Sequence, residues 1–591
     1  MSKPASIFLL IVVVVCIAIR TLHSGWGLLG RSAAPGARVP YGIAANPGDY
    51  LSYSSWAQQS RSGAWTFSDL YTTTPHARVY FNPFFLVVGW LSRASAAPPE
   101  LILNLSVFLS LFVFVYAFDS ICRRLRFGSL ATLCAFCLCF GGGGVAWLRR
   151  GVELVGLEHA LRSVGPDTDL YHIPDWFYAE LFPLVAFNVS PFHSMTLALF
   201  ALVVAWLIRY DDPAEPFSWL KASLLIGTCT LLVGMRPYEP VVLLAGSGTY
   251  VCFSLVPGAS TGEIKRRALL LVCLCLGIIP FLAYDFWLTR QPVWRDFSHK
   301  GLYLFGGADW AGAFLLLWVL AIAGIAVLGK RALKAPYALL VIWFAIYAAI
   351  LIVLQSGLTK LCGGCTIALS LLAGAAIERC GRRLRSGRQR VIVAAAVGCL
   401  ALASATVLLF RIAVSPPPRV PTDLLGAIDA IRRDSSIAAP AVLTDPTTAA
   451  YLPGLGGLRV CCGNWGLTDN YAAKVAALAA LGLGVKPPAD SAASTPESSS
   501  EADATREAVG ALREQLEANV FAFLVINLDQ ASPEIGRFQR TIERDFPKSI
   551  IYNRGKFCVI KLDREIVDRI PGPWGHTDHQ TKRLEGGLGP Q

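Results

Sequence analysis

Long apolar runs recur through the first 413 residues, and they constrain the fold more than any other feature of the sequence. A run of about 20 apolar residues is long enough to cross a bilayer as an α-helix. Only 16% of the 591 residues are charged, which is too few to cover a water-facing surface. We therefore predict a multi-pass α-helical membrane protein and exclude a soluble enzyme, a disordered chain and a fibrous repeat. The sequence contains about eleven candidate spans, at 5–20, 100–120, 129–148, 194–209, 219–236, 239–257, 267–289, 310–329, 337–355, 360–377 and 391–413.

The first candidate span leaves an alternative open. Lys3 precedes an apolar run over 7–19, a pattern that also occurs in secretory signal peptides. No clear small-x-small cleavage site follows the run, so we favour a retained membrane anchor. Cleavage would leave the rest of the topology unchanged.

Arginine and lysine in the connecting loops predict the orientation of the chain, because short cytoplasmic loops are enriched in these residues. The basic residues fall in alternate loops, which all lie on one side if the N-terminus is cytoplasmic. We therefore predict a cytoplasmic N-terminus, with two long loops (21–98 and 149–193) and the whole C-terminal part outside. The basic loops contain Arg123, Arg124 and Arg126; Lys265, Arg266 and Arg267; Lys330, Arg331 and Lys334; and Arg379, Arg382, Arg383, Arg385, Arg388 and Arg390.

The residues after the transmembrane domain (1–413) predict a small α/β domain outside the cytoplasm, over 414–575. Within it, the segment 486–504 is rich in Ser, Ala, Pro and acidic residues, so we expect a disordered insert there. Residues 576–591 are expected to form a flexible tail. The predicted elements are a helix near 421–434 and short buried strands near 441–444, 458–461, 521–526 and 557–561.

The first outer loop combines aromatic and hydroxyl side chains with few charges. Asp49 follows Pro47 and Gly48 at the start of a plausible helix, and His76 and Arg78 come later in the loop. A carboxylate in this place could cap the helix or complement the positive end of its dipole. The aromatic residues also fit the belt of a membrane interface.

The second outer loop places three acids, Asp167, Asp169 and Asp175, among aromatic residues. Acids in this setting fit a catalytic or metal-binding wall, and they also fit a solvated loop. Their spacing does not choose between these interpretations.

Two basic residues are expected at the outer ends of spans, where positive charge is disfavoured. Arg236 lies with Glu239 in a tight turn, and Lys360 lies between the ninth and tenth spans. Snorkelling to lipid headgroups is one explanation for such residues. The other is an anionic ligand, held by Arg as a fork and by Lys as a point charge.

Several short segments carry a family resemblance: 48–53 (GDYLSY), 69–72 (DLYT), 81–83 (FNP), 359–365 (TKLCGGC), 451–453 (YLP), 459–465 (RVCCGNW) and 468–469 (TD). With the order of spans and loops, they resemble the GT-C superfamily of membrane glycosyltransferases. The resemblance is to bacterial members related to the protein-mannosyltransferase-like and lipopolysaccharide-core transferase group, and it extends over most of the chain. One departure is that Tyr50, and not a second acid, follows Asp49.

The resemblance implies a GT-C fold and an enzyme that transfers a sugar from a polyprenyl-phosphate donor to an acceptor hydroxyl at the outer face. The reaction would invert the anomeric carbon through an oxocarbenium-like transition state. Asp49 would be the general base, and Arg236 and Lys360 would stabilise the departing phosphate.

The remaining implied roles belong to other outer residues. One of Asp167, Asp169 or Asp175 would orient the acceptor or assist the base, and His76, Arg78 and Glu239 would contact phosphate or sugar. The resemblance implies no cofactor and no metal, because two cations can serve the phosphate. The implied acceptor is a glycan, a lipid or a protein and not a nucleic acid, and the implied location is the bacterial inner membrane.

Two other classes of function remain open on the sequence. A transporter or lipid flippase also has many spans, but it places charges near the bilayer midplane and often shows repeated halves. Here the acids Asp119 and Asp285 lie near span ends, and no repeat is visible. A non-catalytic scaffold would need far fewer spans as an anchor.

Overall fold

The computed structural model is mostly helical. The first candidate span, most of the second outer loop and the predicted flexible tail lie outside the residues that it describes. The described residues are 38–40, 47–142, 144, 183–212, 214–215, 218–254, 260–291, 293–295, 312–354, 357–384, 386–414, 419–436, 439–464, 467–468, 470–483 and 499–570.

Helices build the part of the chain before residue 415, and each candidate span after the first overlaps one of them. Their bounds are α1 (Pro47–Arg61), α2 (Pro83–Ser95), α3 (Pro99–Arg124), α4 (Ser129–Gly141), α5 (Pro183–Val189), α6 (Pro191–Asp211), α7 (Trp219–Met235), α8 (Tyr238–Ser254), α9 (Thr261–Leu288), α10 (Leu315–Leu328), α11 (Tyr337–Ala348), α12 (Cys365–Arg383) and α13 (Gly387–Val414). Between them lie 3₁₀ segments at Gly329–Leu333 and Gly357–Cys362 and a π segment at Ala349–Leu354.

Four helices within the described residues have the length and apolar composition needed to cross a bilayer. They are Pro99–Arg124, Pro191–Asp211, Thr261–Leu288 and Leu315–Leu333. Shorter apolar helices are Ser129–Gly141, Trp219–Met235, Tyr337–Ile352 and Tyr471–Ala480. The described helices therefore support a multi-pass helical membrane protein. The number of about eleven spans stays a prediction.

Local sequence signals explain where the long helices begin. The Ser190 side chain accepts a hydrogen bond from the backbone N–H of His193, and Pro191 follows at the first position of α6. Helix α9 begins with a complete capping box between Ser260 and Glu263. These caps satisfy backbone N–H groups that have no partner inside the helix.

The first two basic loops meet at the ends of α3, α6 and α9. Arg124 Nη1 lies 2.9 Å from Asp212 Oδ2. Arg267 Nε lies 2.8 Å from Asp211 Oδ1, in a pair whose side chains are both nearly buried. Loops that are distant in the sequence are therefore joined by ion pairs at one end of the bundle.

The other two basic loops lie at the same end. The Tyr337 hydroxyl donates to the backbone carbonyl of Leu125 at 3.2 Å. The Gly128 N–H donates to Glu378 Oε2 at 2.7 Å. All four basic loops therefore share one end of the helices, as the charge pattern predicted.

Helix direction then places the candidate residues at the opposite end. Helices α7 and α9 run away from the basic end, so Arg236 and Asp285 lie at the far end. Helix α12 runs towards the basic end, so Lys360 precedes it at the far end as well. Arg236, Lys360 and Asp285 therefore lie on the side away from the basic loops.

Helices α1 and α2 of the first outer loop pack on this far end through an aromatic cluster. The Phe85 ring lies 5.4 Å from Tyr53, 5.0 Å from Trp56 and 5.4 Å from Phe192 at the start of α6, between ring centroids. Trp56 also lies 4.9 Å from Tyr80. We call these five residues the outer aromatic cluster. It holds the first loop against the bundle through offset ring contacts.

A five-stranded mixed sheet forms the C-terminal part, in the order β4-β3-β5-β7-β6. Strand β3 is parallel to β4 and β5, and β7 is antiparallel to β5 and β6. The strands are β2 (Arg419–Pro421), which pairs with β1 (Arg38–Pro40) outside this sheet, β3 (Ala441–Leu443), β4 (Arg459–Val460), β5 (Phe521–Asn527), β6 (Ile550–Arg554) and β7 (Phe557–Lys561). The helices are α14 (Thr422–Asp434), α15 (Pro446–Ala449), α16 (Leu452–Gly456), α17 (Tyr471–Ala480), α18 (Ser499–Glu517), α19 (Pro533–Asp545) and α20 (Arg564–Val567).

Both faces of the sheet are buried, which explains why β5 is a continuous apolar run. Phe523 and Val525 share a core with α14 and with Tyr50 and Leu51 of the first outer loop. Leu524 faces the other way, into a core with α17, α18 and α19. One face of the sheet therefore packs on the first outer loop.

The predicted elements of the C-terminal part lie close to their expected positions. The helix near 421–434 is α14, and the four predicted strands correspond to β3, β4, β5 and β7. Helix α18 begins at Ser499, within the last residues of the predicted insert 486–504, and residues 486–498 lie outside the described residues.

Candidate functional site

Asp49 lies in the first turn of α1 and is exposed to solvent. The C-terminal part reaches this turn through Asn464. Its Nδ2 group donates to the Gly48 carbonyl at 3.2 Å and to Ser52 Oγ at 3.0 Å. The carboxylate therefore lies where the first outer loop and the C-terminal part meet.

The surroundings of Asp49 contain a second acid and a buried tyrosine. Burial raises the pKa of Tyr71, and the negative charges of Asp69 and Asp49 raise it further. Asp69 is buried, and its Oδ1 accepts a hydrogen bond from the Tyr71 N–H at 2.8 Å. A helix N-terminus favours an acid at Asp49 in any case, so the predicted capping role and the catalytic role are compatible.

Arg236 and Lys360 converge on the ring of Tyr238, and Glu239 pairs with Arg236. Arg236 Nη1 lies 3.0 Å from Glu239 Oε1, with only 6% and 3% of the two side chains exposed. The guanidinium carbon of Arg236 lies 5.6 Å from the Tyr238 ring centroid, and Lys360 Nζ lies 5.7 Å from it. We call these four residues the Tyr238 cluster. Two cations on one aromatic ring, with one carboxylate, make a site suited to an anion.

Gly363 leaves the space that Glu239 occupies. A Cβ on Gly363 would lie 2.2 Å from Glu239 Oε1 and 2.5 Å from its Cγ. The Tyr347 hydroxyl donates to the Gly363 carbonyl at 3.5 Å, which holds the segment in place. The glycine before α12 therefore permits the buried Arg236–Glu239 pair.

Replacing Gly363 with Ala should displace Glu239 and destabilise the protein by about 1–3 kcal/mol, because the added methyl group overpacks a buried site. The readout is the apparent melting temperature of the purified protein in detergent. Gly248→Ala in α8 is the control, since its added Cβ meets no atom within 4 Å and alanine favours a helix. Equal melting temperatures for the two variants would contradict this packing argument.

The outer aromatic cluster continues to the Tyr238 cluster through Asn82. Asn82 Nδ2 donates to the Met235 carbonyl at 3.2 Å, next to Arg236, and to the Tyr80 hydroxyl at 3.1 Å. The same side chain caps α2 by accepting from the N–H of Phe84. One amide thus ties the start of α2 to the turn that carries Arg236.

Asp285 adds a carboxylate near the end of α9. Its Oδ2 is buried and accepts no hydrogen bond from any residue that the structure describes. Burial is the main reason for the raised pKa of Tyr80, and the charges of Asp285 and Tyr238 contribute to it. Asp285 and Tyr238 therefore both lie within electrostatic range of the Tyr80 hydroxyl.

His76 and Arg78 lie in a separate group with Asp69. His76 Nε2 accepts from the Asp69 N–H at 3.0 Å, and its Nδ1 lies 2.8 Å from the Thr74 carbonyl. These contacts suit an imidazole that accepts at Nε2 and donates from Nδ1. Arg78 is exposed and donates from Nε to Ser68 Oγ at 3.4 Å.

The three acids of the second loop, Asp167, Asp169 and Asp175, lie outside the described residues, so their predicted role stays a prediction. Within the described residues, no group of three or more His, Cys, Asp or Glu side chains is arranged to hold a metal ion.

Several residues of the site do not follow from the sequence. Tyr238 has a usable signal, since it is an aromatic residue between two charged ones in the Arg236–Glu239 turn. Asp285 has a weaker signal, as an acid near a span end. Asn464 has no sequence signal beyond its place in a segment that resembles the family. Its contacts depend on how the C-terminal part packs on the first loop.

No protein-family model matches the sequence, and no curated protein matches it. Solved structures do match. The arabinofuranosyltransferase AftD from Mycobacteria is 15% identical, with a TM-score of 0.52 over 98% of this chain and 40% of that chain. The oligosaccharyltransferase of Archaeoglobus fulgidus, in its apo form, is 12% identical, with a TM-score of 0.50 over 96% of this chain and 78% of that chain. The chain has the GT-C glycosyltransferase fold.

A third similar structure is ArnT from Cupriavidus metallidurans bound to undecaprenyl phosphate, which is 13% identical with a TM-score of 0.45 over 95% of this chain and 98% of that chain. At such identities, likeness establishes the fold and not the activity. The predicted GT-C resemblance is confirmed at the level of the fold, while its bacterial branch stays a prediction. The apolar helices support a multi-pass membrane protein.

Proposed function

We propose that this GT-C protein transfers a sugar from a polyprenyl-phosphate-linked donor to an acceptor hydroxyl at the outer face of the membrane. The observation that carries the proposal is the convergence of Arg236 and Lys360 on Tyr238 at the helix ends away from the basic loops. A lipid phosphate suits that place, since Arg offers it a fork of donors and Lys a point charge.

The orientation rests on charge. The end that gathers the four basic loops is the cytoplasmic side by the positive-inside rule. The Tyr238 cluster, α1 and the C-terminal sheet then lie on the outer side of the membrane. In this proposal the membrane is the inner membrane of a bacterium. A polyprenyl tail would lie among the apolar helices while its phosphate and sugar reach the water layer.

The chemistry follows from a base on one side of the sugar and cations on the other. Asp49 takes the proton of the acceptor hydroxyl as its oxygen attacks the anomeric carbon. The bond from that carbon to the phosphate oxygen breaks, and the phosphate leaves with the electron pair. Its negative charge grows during this step, so Arg236 and Lys360 stabilise the transition state. Attack opposite the leaving group inverts the anomeric carbon.

Glu239 and the remaining outer residues have supporting roles in this proposal. Glu239 holds the buried guanidinium of Arg236 in one orientation through their ion pair. His76 and Arg78 contact the acceptor. One of the acids Asp167, Asp169 and Asp175 orients the acceptor hydroxyl.

The test uses the full-length protein in proteoliposomes with a panel of polyprenyl-phosphate sugars that carry a radiolabel in the sugar. We expect release of free polyprenyl phosphate and labelling of a cell-envelope acceptor with at least one donor. Movement of the intact labelled lipid between leaflets, without release of the carrier, would support a flippase and contradict the proposal.

A further inference from the structure

The loop 68–78 and the strand β4 bring two arginines to one place at the water-facing side. The Val460 N–H donates to the Leu70 carbonyl at 2.8 Å, so that β4 runs beside the loop. Arg459 and Asp69 are the chain neighbours of these two residues. Arg78, at the end of this loop, donates a hydrogen bond to Ser68 at its start. The pairing thus sets Arg459 and Arg78 around Asp69.

Arg459 has an unusual environment for an arginine. It is half-buried, and its buried Nε makes no hydrogen bond with any residue that the structure describes. Burial lowers the pKa of Arg459, and the positive charge of Arg78 lowers it further, whereas the negative charge of Asp69 raises it. The buried Nε loses hydration without gaining a hydrogen bond, which is costly in the absence of a partner.

Positive charge continues along the loop. Lys474 Nζ donates to Thr72 Oγ1 at 3.0 Å and to Thr74 Oγ1 at 3.4 Å. We call Arg78, Arg459 and Lys474 the loop–sheet basic patch. Within the described residues, Arg78 and Arg459 repel each other beside the buried carboxylate of Asp69, so an anion placed here relieves that repulsion.

We propose that the loop–sheet basic patch binds an anionic oxygen group, a phosphate or a carboxylate, on the acceptor. The inference rests on the proposed sugar transfer and names the chemistry of its acceptor. The donor phosphate already has the Tyr238 cluster, which lies at the helix ends. The patch lies instead between the first loop and the C-terminal sheet, beside the Asp49 turn, where an acceptor approaches from water. A guanidinium fork suits both phosphate and carboxylate.

The test is calorimetric titration of the full-length protein in lipid nanodiscs, without donor, with glucose 6-phosphate, glucuronate and glucose as probes. We expect binding of at least one acidic sugar and none of glucose, weakening with added salt. Arg459→Gln and Arg78→Gln should each weaken that binding by about tenfold or more, since each removes charge-assisted hydrogen bonds. Arg78 is exposed, so its variant should fold normally.

Arg513→Gln is the matched control, because among the described residues Arg513 pairs only with its exposed helix neighbour Glu517, and we expect parent affinity for it. Parent affinity in both Arg459→Gln and Arg78→Gln would overturn the inference. Equal binding, or no binding, of acidic and neutral sugars by the parent protein would also overturn it. Because no donor is present, the result does not depend on whether sugar transfer is observed.

Discussion

Asp49→Asn is expected to reduce sugar transfer by about 10²- to 10⁴-fold, the range that a positioned general base contributes. The amide keeps the size and the hydrogen-bonding reach of the side chain but cannot accept the acceptor's proton. Asp49 is exposed at the start of α1, so the variant should fold with only a small loss of helix-dipole stabilisation. The measurement is the initial rate of carrier release in proteoliposomes.

The control for this prediction is Asp429→Asn. Asp429 is also an exposed helical aspartate, on α14, and it lies outside the candidate site. We expect parent rates for it. A parent rate for Asp49→Asn would remove Asp49 from the mechanism, and a rate restored by raising the pH would show that another group can take the proton.

Arg236→Met should cost about 3–5 kcal/mol of stability, because it leaves the carboxylate of Glu239 buried without its ion-pair partner. The double variant Arg236→Met/Glu239→Met should recover most of that loss, since an apolar pair of similar volume often replaces a buried ion pair at no cost. Transfer should remain strongly reduced in both variants, because the carrier phosphate has lost its guanidinium fork.

The two readouts separate the structural role of Arg236 from its binding role. Melting temperature in detergent reports stability, and carrier release reports transfer. Arg290→Met is the control, since Arg290 is exposed at the end of α9 and stacks on Phe286 at 4.3 Å. A double variant that is stable and transfers at the parent rate would contradict a phosphate role for Arg236.

The elements that follow from local sequence were predictable. Apolar runs predicted α3, α4 and α6 to α13, which overlap the later spans, and short apolar stretches predicted β5 and β7. The gathering of the basic loops also followed from charge alone, because one physical rule governs all short loops of a membrane protein. The end of the bundle that holds Arg236 and Lys360 was therefore predictable.

Contacts between distant segments were not predictable. Arg236 and Lys360 were each assigned to an outer helix end, but their meeting on Tyr238 depends on how α7, α8 and α12 pack. Arg459 belongs to a segment that resembles the family, yet the missing partner of its Nε becomes visible only when β4 lies beside Leu70. Apolar periodicity identifies the buried face of an element and not the element against which it packs.

We expect the Tyr238 cluster to hold the phosphate of a polyprenyl carrier at the outer helix ends. The most direct measurement is a cryo-electron-microscopy structure of the full-length protein in nanodiscs with a polyprenyl phosphate added. We predict the phosphate within hydrogen-bonding distance of Arg236 and Lys360, with the lipid tail among the helices and Asp49 facing the bound headgroup. A phosphate bound elsewhere, or a Tyr238 cluster sealed from both lipid and Asp49, would contradict the account.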